Sequence, residues 1–167
     1  MSAPRLRIAQ PEEVRQMLDW AAAEGWNPGQ DDAAAFHAAD PEGFFVAEVA
    51  GAPVAAISVV NHSDAFAFLG LYICDPAFRG RGIGFALWQH ALAHAGGRTV
   101  GLDGVAAQQE NYARSGFARA GATMQFEGVV APLGAPDIRA LDPDDLPNLH
   151  RLDMLANGVT RPRFLSA

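Results

Sequence analysis

The sequence contains no lysine, and this absence removes two kinds of chemistry at once. Enzymes that use pyridoxal phosphate, like other Schiff-base enzymes, react through a lysine amine. The Walker A phosphate loop also needs a lysine, because that side chain reaches the β- and γ-phosphates of the nucleotide. Neither a Schiff-base enzyme nor a Walker-type nucleotide hydrolase therefore fits this chain.

Cysteine, long apolar runs and positive charge are also scarce. The single cysteine, Cys74, excludes an internal disulfide and fits a reducing cytoplasm. The longest uncharged runs are shorter than the roughly 20 residues of a membrane helix, and no signal peptide is evident. A net charge of −7 argues against nucleic acid and is mildly compatible with a cationic or amine substrate. We therefore expect a cytoplasmic protein without membrane or nucleic-acid partners.

Residues 65–97 carry the most informative pattern in the chain. Residues 65–74 have no charge and several aromatic or branched side chains, which predicts a strand covered on both faces. Gly70 within this run predicts a bulge. Asp75-Pro76 ends the run, and apolar residues four apart then predict a helix that stops at Gly96-Gly97.

A glycine-rich turn, Arg79-Gly80-Arg81-Gly82-Ile83-Gly84, joins this strand to the helix. Glycine removes side chains that would block a ligand, and the N–H groups and dipole at a helix start favour an anion. The spacing does not match the Rossmann G-x-G-x-x-G, because the sixth position is Phe85 or Leu87. The turn predicts a phosphate ligand; the alternative is an ordinary strand-to-helix turn.

The whole chain predicts a mixed sheet with helices on its faces, in the order βααβββαβαβ. Its 167 residues, half of them hydrophobic, suit one domain with a substantial core. Ala50-Gly51-Ala52 is a hairpin-sized loop, so the strands on either side of it are predicted to be antiparallel neighbours. The predicted strands are Leu6–Ala9, Phe44–Val49, Val54–Asn61, residues 65–74, Thr99–Val105 and Thr123–Val130; the predicted helices begin at Pro11, Asp31, Ile83 and Gln108.

Two motifs resemble those of one known family. Arg79-x-x-Gly82-x-Gly84 resembles the pyrophosphate loop of the GNAT acyltransferases, Gln/Arg-x-x-Gly-x-Gly/Ala. The segment Tyr112–Phe117 resembles the family's Tyr-x-x-x-Gly-Phe. The resemblance covers about residues 5–132 and implies the GNAT fold and acyl transfer from acetyl-CoA to a small-molecule or peptide amine, without a metal. The alternative is a non-catalytic GNAT-fold domain that binds CoA, or nothing, as a sensor or partner.

The same resemblance implies roles for particular residues. Tyr112 would protonate the departing CoA thiolate, since tyrosine stays protonated at neutral pH. Asn111 would take over a CoA contact, because Val105 stands where many members have asparagine. Trp26 and Asn27 would lie in the loop that covers the acceptor, with simple packing as an equal alternative. The CoA-binding residues would be Ile73 and Cys74, near which a backbone N–H would meet the thioester carbonyl, and Arg79, Gly80, Arg81, Gly82, Ile83, Gly84 and Phe85 of the loop.

No general base is evident, because residues 65–74 contain no carboxylate. Glu48, His62 and Asp103 are candidates, each with a structural or solvent-facing role as the alternative. A water chain, or an amine that arrives neutral, would serve equally well. His90 and His94 share a helix face without a third ligand, and Cys74 has no evident His/Asp pair, so neither a metal site nor a covalent cysteine is expected.

The C-terminal residues repeat an earlier pattern. Residues 139–149 resemble residues 7–17 in their arginine, proline, two acids and apolar positions. With the runs Glu24–Gly29, Gly101–Val105 and Asn111–Phe117, this resembles bacterial proteins with two GNAT-like domains in tandem. We predict a GNAT domain at 1–136 and, at 137–167, a segment resembling the start of a second domain. It begins with strand-like residues 138–141, and the stripe Leu146, Leu149 and Leu152 would pack on its own domain or exchange in a homodimer, which we favour.

Overall fold

The computed structural model describes residues 3–29, 31–124, 126–129 and 138–167. This chain divides into two compact units, residues 1–102 with 146–167 and residues 103–145. In the ranges that the structure describes, the first unit holds the sheet and most of the α-helices, and the second holds a short α-helix and two 3-10 turns. Among the described residues, no helix combines the length and the hydropathy that crossing a membrane requires.

The first unit is built on a five-stranded mixed sheet with strand order β1-β2-β3-β4-β5. Neighbouring strands are antiparallel except β4 and β5, which are parallel. This arrangement confirms the predicted mixed α/β fold class and the predicted hairpin at Gly51. The strands are β1 (Arg5–Ile8), β2 (Phe44–Val49), β3 (Ala52–Asn61), β4 (Phe66–Cys74) and β5 (Thr99–Leu102).

The first four helices begin within one residue of the positions that the sequence predicts, and two further helices follow. They are α1 (Pro11–Ala23), α2 (Asp32–Ala39), α3 (Ile83–Ala95), α4 (Gln109–Arg114), α5 (Leu146–Asn157) and α6 (Pro162–Leu165), with α4 in the second unit and the others in the first. Pro11 is the first residue of α1, a position whose backbone N–H would have no acceptor within the helix. Gln10 and Glu13 form a capping box there.

Helices cover both faces of the sheet. Successive residues of a strand point to opposite faces. Phe44 and Val46 pack in a core with Val14 and Met17 of α1, whereas Phe45 lies against the histidines of α3. The central sheet is therefore enclosed between α1 with α2 on one side and α3 on the other.

A bulge interrupts β4 at the predicted place. Ala56 pairs with Ile73, but two positions further along β3, Ser58 pairs with Gly70, so β4 holds one extra residue there. Leu71, within the bulge, has a φ of 49°, a left-handed value that is rare for a bulky side chain. The register shift confirms the bulge that Gly70 predicts.

Two predicted strands differ from the structure. Residues 123–124 and 126–129 are not in a strand, and Met124, Phe126 and Val129 are exposed, while residues 125 and 130 lie outside the described residues. Residues 138–141 also lack strand structure. A strand needs a hydrogen-bonded neighbour and a buried face, which an apolar pattern alone does not supply.

The predicted internal repeat has a physical counterpart in two sets of local contacts. In the first unit, Arg7 makes two hydrogen bonds to Glu13, at 2.7 and 2.8 Å, and the Gln10 N–H donates to Glu13 at 2.7 Å. In the second unit, Arg139 bonds Asp145 at 2.6 and 2.7 Å, and the Asp142 N–H donates to Asp145 at 2.8 Å. We name these the first and second arginine–acid boxes.

The C-terminal helices contribute to the first unit. Phe164 of α6 stacks on Phe36 of α2 with ring centroids 5.2 Å apart. Arg161 lies over the Phe164 ring and pairs with Asp153 of α5 at 2.5 Å. Leu146 and Leu149 are half-buried and Leu152 is exposed, so the predicted stripe is only partly covered.

Candidate active site

The glycine-rich loop between β4 and α3 has the backbone that an anion site requires. Gly80 and Gly82 have φ values of 73° and 76°, in the region that favours glycine. Gly82 caps the start of α3, and the first helical hydrogen bond is donated by Ala86 to the Gly82 carbonyl at 3.0 Å. The amides between these residues precede the hydrogen-bond ladder of the helix and carry the positive end of its dipole.

The space around this loop also suits a phosphate ligand. A Cβ added to Gly80 or Gly82 would meet nothing within 4 Å, so both residues border open space. The loop begins with a tight turn in which the Asp75 carboxylate accepts a hydrogen bond from the Ala77 N–H at 2.7 Å. The residues present therefore fit the diphosphate of a CoA ester.

The two arginines of the loop differ in their partners. Arg79 donates from Nε to the Cys74 carbonyl at 2.8 Å and from its terminal nitrogen to the Glu24 carboxylate at 2.5 Å. Arg81 lies with its guanidinium 5.1 Å from the centroid of the Phe78 ring. Arg79 is thus tied to the ends of β4 and α1.

The second half of β4 has one strand neighbour in the described structure. Strand β5 pairs only with residues from Phe66 to Leu69, whereas β3 pairs along β4 as far as Cys74. Ile73 and Cys74, the predicted thioester contacts, lie at the end of this half-strand. Its backbone can therefore accept an extended ligand beside it, as an added strand would pair.

The thiol of Cys74 is half-buried and donates a hydrogen bond to the Asp75 carbonyl, with the sulfur 3.7 Å from the oxygen. Burial raises the pKa of this thiol, against the opposing effect of Arg79. A protonated thiol is a poor nucleophile, so these surroundings do not favour covalent catalysis.

The loop that follows α1 presents an aromatic surface. Trp26 is 37% exposed, and Asn27 beside it is exposed as well. The backbone N–H of Trp26 donates to the Ala21 carbonyl at 3.0 Å, which ties the loop to the last turn of α1. The pair is anchored by backbone and leaves side-chain surface for a ligand.

Tyr112 and Asn111 lie in α4 of the second unit. Gly116, with a φ of 92°, ends this helix, and the Phe117 N–H donates back to the Tyr112 carbonyl at 3.1 Å. This helix stop is the physical basis of the Tyr-x-x-x-Gly-Phe motif. Burial raises the pKa of Tyr112, which keeps its hydroxyl protonated at neutral pH.

The Asn111 amide already has local partners. Its nitrogen donates to Gln108 at 2.5 Å, and its oxygen accepts from Arg114 at 2.7 Å. These two bonds use one of the two N–H groups and one of the two lone pairs of the amide, so a further donor and a further acceptor remain for CoA. The predicted meeting of Asn111 and Tyr112 with the loop of the first unit stays a prediction.

Two of the three candidate bases are engaged in structural contacts, and the third lies far from the end of β4. Glu48 accepts a hydrogen bond from Arg7 at 2.9 Å, and Asp103 accepts one from Thr123 at 3.0 Å. His62 follows Asn61, which pairs with Ala67 at the far end of the ladder from Cys74. At about 3.3 Å per residue, His62 is roughly 20 Å from the end of β4.

The two helix histidines are also accounted for by local contacts. His94 lies 2.7 Å from the Asp40 carboxylate, and the rings of both His90 and His94 make T-shaped contacts with Phe45. In the described ranges, no three histidine, cysteine, aspartate or glutamate side chains are grouped so as to hold a metal ion.

The sequence matches the acetyltransferase (GNAT) family over residues 11–121. The chain belongs to this family. That span includes the glycine-rich loop, the bulged β4 and Tyr112, so the family's two motifs lie within the matched region.

Curated relatives are longer than this chain. Holothin acyltransferase from Pseudoalteromonas sp. (strain SANK 73390) is 36% identical over 156 residues, which cover 92% of this chain and 53% of the relative. An uncharacterised protein of Caenorhabditis elegans is 25% identical over 166 residues, again 53% of its length. The chain thus spans about half the length of the curated relatives it matches.

Solved structures show the same fold. A protein from Pyrococcus horikoshii described as an acetyltransferase superimposes over 99% of this chain and 61% of its own, with a TM-score of 0.71 and 18% identity. Ard1 from Thermoplasma volcanium has a TM-score of 0.60 and 25% identity, over 70% of this chain and 84% of its own. Glucosamine-6-phosphate N-acetyltransferase from Arabidopsis thaliana has a TM-score of 0.57 and 16% identity, over 75% and 99% of the two chains.

Two residues of the site were not given roles by sequence reasoning. Glu24 contacts Arg79 from 55 positions away, and Tyr72 lies against Gly84 on the next element. Neither contact has a local sequence signal, because each depends on how two elements pack in the fold.

Proposed function

We propose that this chain is an N-acyltransferase that transfers an acetyl group from acetyl-CoA to an amine. The observation that carries the proposal is the left-handed Gly80 and Gly82 backbone, bordering open space at the start of α3. A diphosphate there would receive first-turn N–H groups and the helix dipole. Membership of the GNAT family supports the same reaction.

The proposed chemistry needs three things from the protein. The thioester carbonyl must be polarised, which we assign to a backbone N–H near Ile73 and Cys74. The amine must be neutral and close to the thioester. The departing thiolate must gain a proton, which we assign to Tyr112; its raised pKa supports a protonated hydroxyl at the working pH.

For the acceptor, we propose a small-molecule amine, with a peptide amine as the second choice. A 36% identical relative is named for holothin, which supports small-molecule acylation. The exposed Trp26, with Asn27, supports an acceptor that packs on an aromatic side chain. The single free cysteine supports a cytoplasmic location.

We also propose that residues 137–167 correspond to the start of a second GNAT-like domain. The second arginine–acid box, at Arg139 and Asp145, supports this because it repeats the contacts of Arg7 and Glu13. The exposed apolar residues of α5, Leu152, Met154 and Leu155, support a homodimer through the C-terminal segment. Light scattering of the full chain at tens of micromolar tests this, and a monomer would refute it.

A thermal-shift titration tests the ligand class directly. Acetyl-CoA and CoA should raise the midpoint of unfolding with concentration, and ATP should not, because a ligand that binds only the folded state stabilises it. Thiol release from acetyl-CoA in the presence of an amine panel then tests catalysis. CoA binding without thiol release from any amine would favour a CoA sensor. No binding of either ligand would reject the acyltransferase and leave the alternative of a GNAT-fold partner domain that binds nothing.

A further inference from the structure

The side chain of Tyr72 reaches from β4 to the first turn of α3. Its ring meets the buried indole of Trp88 in an edge-on contact, with centroids 5.2 Å apart. A Cβ added to Gly84 would come within 2.9 Å of the Tyr72 hydroxyl oxygen and 3.5 Å of the ring carbon that carries it. The hydroxyl therefore fills the space that a side chain at position 84 would occupy.

The glycine at position 84 is not explained by its backbone. Gly80 and Gly82 have left-handed φ values, whereas the φ of Gly84 lies outside that region. Any small residue could adopt this backbone, and the family consensus accepts alanine here. In this chain, glycine is favoured at position 84 because the Tyr72 hydroxyl occupies the space that a methyl group would need.

The position of the hydroxyl connects it with the proposed ligand. Gly84 is the second residue of α3, so its surroundings include the first-turn amides that precede the helical hydrogen bonds. Tyr72 itself belongs to the half of β4 that lies beyond the pairing with β5. The side chain thus begins on the strand proposed to hold the thioester arm, and its hydroxyl is close to the second residue of the helix whose first turn is proposed to hold the diphosphate.

We propose that the Tyr72 hydroxyl is a further contact of bound acyl-CoA and donates a hydrogen bond to its diphosphate. This inference rests on the proposed function. A neutral donor adds a bond to a charged acceptor without a further cation, and the contact with Trp88 fixes the direction of the ring. Gly84 keeps the hydroxyl in this position because it has no side chain to displace it.

Calorimetric titration of Tyr72→Phe is the first test, with CoA and with 3′-phospho-ADP, which carries the diphosphate but lacks the pantetheine arm. Loss of a hydrogen bond to a charged group should lower the affinity for both ligands by about 10-fold. Equal affinity of wild type and Tyr72→Phe for both ligands would overturn the proposal. A loss confined to CoA would also overturn it, because it would put the hydroxyl on the pantetheine arm.

The second test is a double-mutant cycle with Gly84→Ala. In the wild-type background, the new methyl group of Gly84→Ala would displace the hydroxyl, and the affinity for CoA should fall by a factor of about 10. In the Tyr72→Phe background the nearest ring atoms lie at 3.5 and 3.6 Å, an ordinary contact, so the same change should cost less than about 3-fold. Equal costs in the two backgrounds would contradict the assigned contact.

Gly97→Ala is the matched control, because its φ also lies outside the left-handed region and its Cβ would meet nothing within 4 Å. It should leave CoA affinity unchanged. Circular dichroism checks that each variant is folded before titration. If wild type itself binds neither CoA nor 3′-phospho-ADP, the proposed function fails; if wild type binds and the variants match it, only the role of Tyr72 fails.

Discussion

The Arg79 guanidinium donates to the Glu24 carboxylate at 2.5 Å while its Nε donates to the Cys74 carbonyl. Arg79 begins the glycine-rich loop, Cys74 ends β4, and Glu24 directly follows α1, two positions before Trp26. One side chain therefore connects the proposed cofactor loop with the loop proposed to cover the acceptor. Arg79 and Glu24 are 50% and 37% exposed, so their pair contributes only about 0–1 kcal/mol to stability.

Glu24→Gln should raise the affinity for CoA about 2- to 5-fold at low ionic strength. The change removes an anion beside a site for an anion and releases the charge of Arg79 toward the diphosphate. The gain should shrink in 0.5 M salt, where screening is stronger. Asp19→Asn removes the same charge from an exposed position of α1 and is the control for net charge; equal gains in both variants would contradict a specific effect of Glu24.

Gly82→Asp should abolish CoA binding without unfolding the chain. The new carboxylate would enter the open space in front of α3 and repel the diphosphate. Gly51→Asp is a matched control, because Gly51 has a φ of 84° and its Cβ would also meet nothing within 4 Å. In calorimetry, Gly51→Asp should bind CoA with the affinity of wild type, and Gly82→Asp should show no binding. A folded Gly82→Asp variant with undiminished affinity would place the ligand elsewhere.

Tyr112→Phe should lower turnover about 10²- to 10⁴-fold and leave CoA affinity nearly unchanged, because the ring is kept and the acidic proton is lost. Burial raises the pKa of Tyr112, so the wild-type rate should fall at alkaline pH only as that raised value is approached. Turnover is measured by thiol release with a verified acceptor. Survival of full activity in the variant would mean that water protonates the thiolate.

His62 should make the chain less stable as the pH falls. Burial, with the nearby charge of Arg161, lowers the pKa of His62, although Asp40 and Asp153 oppose this. Its Nδ1 atom is buried and has no hydrogen-bond partner among the described residues. The neutral ring is favoured in the folded state, so its contribution is complete above the unfolded pKa of about 6.5 and declines as the pH falls through the lower folded value.

Urea unfolding of wild type and His62→Gln at several pH values between 7 and 4 tests this expectation. The free energy of unfolding should fall less steeply with acid in the variant than in wild type. Parallel curves for the two proteins would show that another group controls acid stability.

Local patterns in the sequence predict much of the first unit. The α1 stripe of Val14, Met17, Leu18 and Ala21 is buried as its helical spacing predicts. Gly82 is left-handed because the turn into α3 requires it, and Gly70 marks the bulge in β4. Each of these features depends on a residue's own backbone or on neighbours within a few positions, so it can be predicted from the local sequence.

Contacts between distant segments are not predictable in the same way. The pair of Arg79 with Glu24 depends on the packing of α1 against β4, and the contact of Tyr72 with Gly84 depends on the packing of α3. The predicted strand at Thr123–Val130 was wrong over its described residues for a related reason. Its apolar residues have the pattern of a strand, but a strand forms only where a neighbouring strand accepts its hydrogen bonds.

The arginine–acid boxes have a consequence for the order of events in folding. In each box the bonded side chains are six positions apart, so closing the loop between them costs little chain entropy. Loops of about 10 residues close within roughly 10–100 ns. The paired residues Arg5 of β1 and Glu48 of β2 are 43 positions apart, and contacts of such long sequence separation form more slowly. We therefore expect each box to form locally, at the start of α1 and in the segment before α5, before the sheet is complete.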